Sequence, residues 1–388
     1  MTNITVGDYV IEVHADPAAV DAAQWNALLD MQASPTPFMR HEYLAALHAS
    51  GSAVARTGWA PQWVVLRQGG ALAAACALYL KGHSYGEYVF DWAWADAYER
   101  HGLEYYPKLL GAVPFTPAPG TRLLARDGPA RNALVQTIGA MARGLNLSSA
   151  HLLFLDDVDR AAMERAGWLM RSGVQFHWTN REPAYESFDE FLRSLARDKR
   201  KKILQERRRV TEAEVSFTVH RGEEIDEPLW DFFHRCYTHT YRAHHSTPYL
   251  TRAFFAQLSR TLPQMWVMFV AHRRGRPLGV SLIATDGDGR SAWGRYWGAL
   301  EYVPCLHFEA CYYRPLAWCV ANRMQRFEGG AQGEHKMARG LMPVATASAH
   351  WLADRRFASA VAEFLAQEGA GIEQYVDELR ERNPFRSP

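Results

Sequence analysis

The apolar positions of this chain follow two periods, and the order in which those periods alternate outlines its elements. Residues 10–13 read as a short strand, and residues 18–30 place Val20, Trp25, Leu28 and Leu29 at helical spacing. A second helix is predicted over 38–49. Apolar runs at 63–66 and 72–80 flank Gly69-Gly70, the pattern of a hairpin. Residues 85–94 read as a further strand. Alternation there puts Tyr85, Glu87 and Asp91 on one face and Tyr88, Phe90, Trp92 and Trp94 on the other. A helix over 130–144, a buried strand over 151–155, a short helix over 158–166 ended by Gly167, and a strand pair over 168–178 complete this half.

The same order then repeats. Ser187, with Glu190 three residues on, is a capping box, and the helix it opens runs through Phe191, Leu195, Ile203 and Val210. Next come a strand over 215–220, helices over 229–241 and 251–262, and a hairpin of 266–271 with 278–284. A central strand over 292–300, a helix over 309–324, a strand from 327, a loop and short helix over 332–340, and a closing strand over 344–351 follow. The tail from 353 is polar and helical.

Local echoes support a duplication. Thr36-Pro37-Phe38 recurs as Thr247-Pro248-Tyr249, and Tyr105-Tyr106 as Tyr312-Tyr313. Gly167 lies ten residues before His177-Trp178, as Gly340 does before His350-Trp351. Two modules are therefore expected, 1–180 and 181–388, divided where Arg181-Glu182-Pro183 interrupts regular structure. The second opens with a basic helix and ends in the helical tail.

Composition narrows the class. With 48% apolar and 22% charged residues among 388, the chain is globular and long enough for two cores. A net charge of +1 excludes a uniformly basic chain, so any polyanion must be met by a local patch. One exists: eight of the thirteen residues 197–209 are basic. Lys199, Arg200, Lys202 and Arg207 are its phosphate-binding candidates. Five cysteines with no C-x-x-C spacing read as reduced, cytoplasmic and metal-free. The start of the chain is polar, and no apolar run approaches the roughly 20 residues that span a bilayer, so neither a signal peptide nor membrane insertion is expected.

Strand, two helices, a three-strand meander, helix, strand, helix, strand is the order of the GNAT acyltransferase module. Two in tandem, with a basic helix opening the second, resemble the Fem-type peptidyl transferases. The segments SYGEYVFDWAWADAYERHGLEYYPKLL, YWGALEYVPCLHFEACYY and GAQGEHKMARGLMPV closely resemble the FemAB-like, predicted N-acyltransferase family over nearly the whole chain. The resemblance implies an α/β fold of two GNAT-like modules around mixed sheets. It also implies an N-acyltransferase that joins an activated acyl group to a small-molecule or peptide amine by direct attack. Acyl-CoA and aminoacyl-tRNA both remain open as the donor, with tRNA a possible partner. The usual glycine-rich phosphate loop is not present, because residues 300–307 contain no glycine. A non-catalytic module that binds an amine or a peptidoglycan precursor is the reading from another class.

Amide formation needs a neutral amine and a base to take its proton. Glu309, Glu334, His335 and Lys336 are the catalytic candidates. Glu309 is expected at a helix start near the reacting carbonyl, and the other three follow a central strand, where α/β sites open. The resemblance to Fem-type enzymes implies that Lys336 meets a carboxylate or phosphate of the substrate. Arg295, Tyr296, Trp297, His307 and Gln332 are substrate-binding candidates around the same segment. In the first half, Tyr85, Asp91, Trp92, Trp94 and Asp96 are expected to hold an amine-bearing acceptor. Arg40 and His41 lie on the helix that lines the acceptor groove in GNAT folds.

Overall fold

The structure is a computed structural model that describes residues 4–330 and 333–386. Its first elements are β1 (Ile4–Val6), β2 (Tyr9–His14), α1 (Ala22–Asp30), α2 (His41–Ala49), β3 (Trp59–Gln68), β4 (Ala71–Lys81) and α3 (Trp92–Arg100). Then come β5 (Lys108–Gly111), β6 (Leu124–Ala125), α4 (Gly128–Gly144), β7 (Ser149–Leu155), α5 (Asp157–Arg165) and β8 (Leu169–Thr179). The second series starts with α6 (Phe188–Ser194), α7 (Arg197–Glu212), β9 (Val215–Arg221), α8 (Glu227–Ala243) and α9 (Arg252–Thr261). It continues with β10 (Trp266–Arg273), β11 (Arg276–Thr285) and β12 (Ser291–Ala299). A helix then runs from α10 (Leu306–Phe308) through a π-turn (Glu309–Tyr313) into α11 (Arg314–Ala321). β13 (Arg326–Glu328), a 3-10 turn (Glu334–Arg339), β14 (Met342–Leu352) and α12 (Arg355–Glu381) close the chain.

These elements form two compact units that are not contiguous halves. Unit 1 is Met1–Gly173 with Ala345–Gln374, and unit 2 is Val174–Val344 with Tyr375–Pro388. The division expected at 180/181 differs from this at both ends. In unit 1 the strands run β1-β2-β3-β4-β5-β7-β14; in unit 2 they run β9-β10-β11-β12-β13-β8. The two orders match strand for strand from β2 and β9 onward. In each, an antiparallel series leads to a parallel pair, β5 with β7 or β12 with β13. An antiparallel strand then closes the sheet, and it comes from the other part of the sequence. β14 puts His350 opposite His151 on β7, and β8 puts His177 opposite Glu328 on β13. Alternation tells a strand which face to bury, not which neighbour to take, so this exchange was hidden.

Small side chains let the layers approach. Ala73, Ala74, Cys76 and Leu78 of β4 share a core with Ala130, Leu134 and Ile138 of α4. In unit 2, Phe176 and Trp178 of β8 pack with Phe191 of α6 and Leu316 and Cys319 of α11. Ser187 caps the helix, its Oγ accepting from the Glu190 amide at 3.1 Å, but the capping box is not completed, because the Glu190 carboxylate accepts from the Glu186 amide at 2.7 Å instead.

Four local expectations are corrected. Residues 85–91 form no strand: Gly86 and Tyr88 have positive φ, and the acids of the segment are drawn inward by lysines. The helix opened by Ser187 breaks at Leu195, whose extended backbone pairs with Phe385. Residues 169–179 form one strand rather than a pair. The two tyrosine pairs are not equivalent, since Tyr105-Tyr106 precedes β5 whereas Tyr312-Tyr313 lies in the π-turn.

Candidate active site

Unit 2 opens where its parallel strands part. Ser291, Ala292 and Trp293 pair with Arg326, Phe327 and Glu328, and among the described residues the ladder goes no further. On the other side of β12, Leu282 faces Tyr296 while Ile283 faces Gly294, so Arg295 is the extra residue of a β-bulge. Bulges re-aim side chains and free backbone groups from the ladder. A cavity of about 150 Å³ occupies the divergence, lined by Gly294, Arg295, Tyr296, Trp297, His307 and Tyr312 among others. A second, of about 350 Å³, lies beside the segment after β12 and is lined by His239, His244, Tyr302, Cys305 and Phe308. Trp297 and His307 line both, with ring centroids 5.7 Å apart and edge to face.

Close packing sets this geometry. A Cβ on Gly298 would lie 2.3 Å from the Cys236 carbonyl oxygen, so only glycine lets α8 lie so near β12. That contact brings His239 and His244 to the second cavity. A Cβ on Gly329 would meet Leu341 at 2.5 Å, at the point where β13 gives way to the 3-10 turn.

The 3-10 turn supplies the charge. Lys336 is buried, and its Nζ donates to the Gly330 carbonyl at 3.0 Å. Among the described residues no carboxylate pairs with it. Burial lowers its pKa to about 8, partly opposed by the Cys311 thiol. Arg339 anchors the turn: its guanidinium donates to Glu206 of α7 at 2.9 Å and to the His335 carbonyl at 2.6 Å, and lies 3.7 Å above the Phe308 ring. Tyr313 donates to the same Glu206 carboxylate. His335 itself is exposed, with Nε2 3.1 Å from the Tyr312 hydroxyl. The His307 pKa is lowered, first by burial in the cleft and then by His335, Arg339 and Lys336, so its ring is neutral near pH 7.

The fold thus gathers Arg295, Tyr296, Trp297 and His307, with His335 and Lys336 on the adjacent turn. It does not bring the two glutamates to them. Glu309 is buried and lines neither cavity; it accepts from Arg314 Nε at 2.7 Å and Arg207 Nε at 3.2 Å. Glu334 is exposed and accepts from Tyr375 of α12 at 2.7 Å, with Arg382 at 3.5 Å. Gln332 lies outside the described residues. Cys311, Tyr312, Glu206 and Arg339 are additions. Only the periodicity of α7, which turns Ile203, Glu206 and Val210 to one side, hinted at a buried acid there.

On α7, Arg207 is committed to Glu309 and to the Phe188 ring, 5.1 Å away. Arg200 lines a shallow basic groove with Arg197, Lys201 and Arg208. Lys199 pairs with Asp198 at 2.9 Å, and Lys202 is exposed.

In unit 1 the candidates divide. Asp91 is buried and accepts from Lys108 Nζ at 2.5 Å, Ser84 Oγ at 2.5 Å and Tyr105 at 2.6 Å. Its pKa is lowered by Lys108 and His151 against the opposing effect of burial. Trp94 is buried edge-on to His350. His41 donates from Nε2 to the Pro17 carbonyl at 2.9 Å and packs edge-on to Trp63 as a core residue. Arg40 pairs with Asp30 at 2.6 Å. Tyr85, Trp92 and Asp96 are exposed. Among the described residues there is no group of three or more His, Cys, Asp or Glu placed to hold a metal ion, and no helix long and apolar enough to cross a membrane.

Solved structures share this architecture. The crystal structure of FemX superposes with a TM-score of 0.55 at 10% identity, covering 88% of this chain and 98% of that one. L-PGS from Bacillus licheniformis gives 0.55 at 9% identity, covering 92% and 99%. A conserved protein of unknown function from Bacteroides thetaiotaomicron gives 0.51 at 10% identity, covering 88% and 100%. No curated protein matches the chain. Residues 16–387 match the model of the FemAB-like family, described as peptidoglycan biosynthesis/recognition, and the chain belongs to that family.

Proposed function

We propose that the unit 2 cleft transfers an activated acyl group to an amine by direct attack within a ternary complex. The observation that carries this reading is the divergence of β12 from β13 beside the Arg295 bulge, next to a buried lysine without a carboxylate partner. The donor carbonyl enters the smaller cavity beside the Arg295 bulge, where polar groups of the cavity wall meet its developing negative charge. The amine nitrogen bonds to the carbonyl carbon, and the bond from that carbon to the leaving sulfur or oxygen breaks. The ammonium proton passes to His307, directly or through water, and the leaving group takes up a proton. Lys336 meets an anionic group of donor or acceptor, which supplies the counter-charge its burial lacks. His335 and Tyr312 orient the acceptor. The larger cavity beyond Trp297 and His307 takes the carrier end of the donor.

A thioester carrier such as CoA is the first reading. An aminoacyl-tRNA is the second, favoured by the lack of glycine in residues 300–307 and by the basic groove on α7. Calorimetric titration with acetyl-CoA, longer acyl-CoAs and charged tRNA tests both. Saturable binding of one class, lost in Trp297→Ala, is expected. Silence toward every donor would leave the cleft as a binding module and overturn the transfer reading.

A further inference from the structure

The turn that carries His335 and Lys336 has little of its own to hold its shape. It is a six-residue run of 3-10 helix, Glu334–Arg339, longer than that geometry usually sustains. Among the described residues no side chain caps its start. It begins and ends on glycines of positive φ, Gly333 at 110° and Gly340 at 83°. Its position is therefore set by what packs on it. Arg339 ties its last residue to Glu206 of α7 at 2.9 Å. Its first residue is held by another part of unit 2, residues 375–386.

Three contacts make that hold. Tyr375 of α12 donates its hydroxyl to Glu334 at 2.7 Å, and Arg382 stands 3.5 Å from the same carboxylate. Leu379, on the same face of α12 as Tyr375, is buried in the core that includes Met337 and Leu341. Phe385 meets Phe191 edge to face, with ring centroids 6.5 Å apart. A Cβ on Gly340 would lie 2.8 Å from the Phe191 ring and 3.5 Å from that of Phe385, so the end of the turn is seated against both. The backbone is fixed as well. Ala196 N–H donates to the Pro384 carbonyl at 2.8 Å, and Arg386 N–H to the Ser194 carbonyl at 2.9 Å. Those bonds lie at the break between α6 and α7, so the same segment fixes the start of the helix that presents Glu206.

We propose that residues 375–386 are a clasp that sets the position of Lys336, with Tyr375 and Glu334 as positioning residues outside the chemistry. Glu334 lines neither cavity, and its carboxylate is engaged by Tyr375 and Arg382. Lys336 lies two residues on and donates its amide to the Gly333 carbonyl at 3.0 Å, so a shift of Glu334 is carried to it. A misplacement of about 1 Å in a reacting site costs roughly 10²-fold. The titratable and charged groups around Lys336 are Cys311 of the π-turn, His307, His335, Arg339 and, on β8, His177. None is a carboxylate, so burial governs its charge, and a loosened turn moves its titration upward. The effect on turnover rests on the transfer reading of this cleft; the effect on the turn itself does not.

The test is hydrogen exchange on the full chain, read at residues 334–340, with steady-state assays beside it. Tyr375→Phe is expected to speed exchange there about tenfold, the loss of one hydrogen bond to a charged group, and to leave α4 of unit 1 unchanged. Phe385→Leu is expected to act in the same direction by roughly threefold. Glu334→Ala is expected to match Tyr375→Phe, whereas Glu334→Gln, which still accepts from the tyrosine, stays within about twofold of the parent. In transfer assays Tyr375→Phe is expected to lower kcat about tenfold and to move the alkaline limb up by roughly one pH unit. Parent exchange rates in both Tyr375→Phe and Glu334→Ala would overturn the clasp. So would a Glu334→Gln variant that keeps the parent exchange rate and loses turnover, which would return Glu334 to the chemistry. A lack of turnover with every donor would overturn the transfer reading alone, and the exchange rates would still decide the clasp.

Discussion

Each unit buries a lysine near its parallel strand pair, and the two are treated in opposite ways. Lys108 at the start of β5 meets two carboxylates and a serine hydroxyl, with Nζ 2.8 Å from Glu87, 2.5 Å from Asp91 and 2.7 Å from Ser84. Its pKa is raised, because those carboxylates outweigh the desolvation that opposes them. Lys336 after β13 has one carbonyl, and burial lowers its pKa. The strands differ in the same sense. In unit 2 the space beyond the parallel pair is a cavity. In unit 1 the chain runs on through mostly buried residues 112–119 and rejoins β7, with Gly120 opposite Leu155. Buried Arg122 fastens that segment, donating to the Ala118 carbonyl at 2.5 Å and the Gly120 carbonyl at 3.1 Å. A buried charge with its partners built in serves the fold, whereas Lys336 has no carboxylate partner among the described residues.

The sharpest way to break this contrast is to remove each lysine. Lys336→Ala is expected to reduce transfer by ~10²–10³-fold, the size seen when a preorganised charge stabiliser is lost, with the melting temperature unchanged. Lys108→Ala is expected to destabilise the protein by about 3–5 kcal/mol, because buried Asp91 loses its lysine and Glu87 keeps only Lys81, at 3.9 Å. Steady-state assays and urea titrations of both variants decide; the reverse pattern would exchange the roles. The charge of Lys336 also sets an alkaline limit. Activity is expected to fall as pH rises through about 8, where the folded-state lysine loses its proton. Lys336→Arg moves that limb upward; an unmoved limb would assign it to another group.

Acid stability brings the units closer together. His151 in unit 1 and His177 in unit 2 are both held to about 3 by burial, whereas the unfolded chain protonates near 6.5. The unfolded state therefore binds more protons below 6.5, and stability drops as pH falls through that window. Each such histidine contributes a slope of about 1.4 kcal/mol per pH unit. Urea midpoints at stepped pH measure it; a flat profile would mean that protonated rings are accommodated. The smallest expected effect is at Glu309. Glu309→Gln weakens its pairs with Arg207 and Arg314 and lowers stability by about 1–3 kcal/mol. Turnover in that variant stays close to the parent value. A loss of ~10²-fold or more, typical of a missing general base, would return Glu309 to the chemistry.

What the sequence conveyed depended on whether the cause was local. The hairpins at Gly69-Gly70 and at 266–284 could be read because turn chemistry and apolar runs sit next to each other in the chain. The sequence could place Lys336 just after a central strand, where α/β sites open, and the structure sets it on the turn beside the cleft that residues 295–297 and His307 line. Glu309 lies apart from both cavities because arginines 102 and 5 residues away hold it, and nothing in its own helix signals that capture. The alternation of 85–94 misled for a related reason. Lys108 of β5 donates to the acids from within, with Lys81 of β4 3.9 Å from Glu87, which imitates the pattern of a strand without its ladder.

The exchanged closing strands constrain how this chain can be made and cut. During synthesis His151 has no cross-strand partner until His350 has emerged, 199 residues later. Unit 1 therefore stays unfinished on the ribosome through nearly all of translation, with the edge of β7 bare. A fragment ending at 180 is a truncated sheet, not a module, and its complement carries a strand that belongs elsewhere. Neither sheet is complete without a strand from the other part of the sequence, so the two copies are one covalent unit.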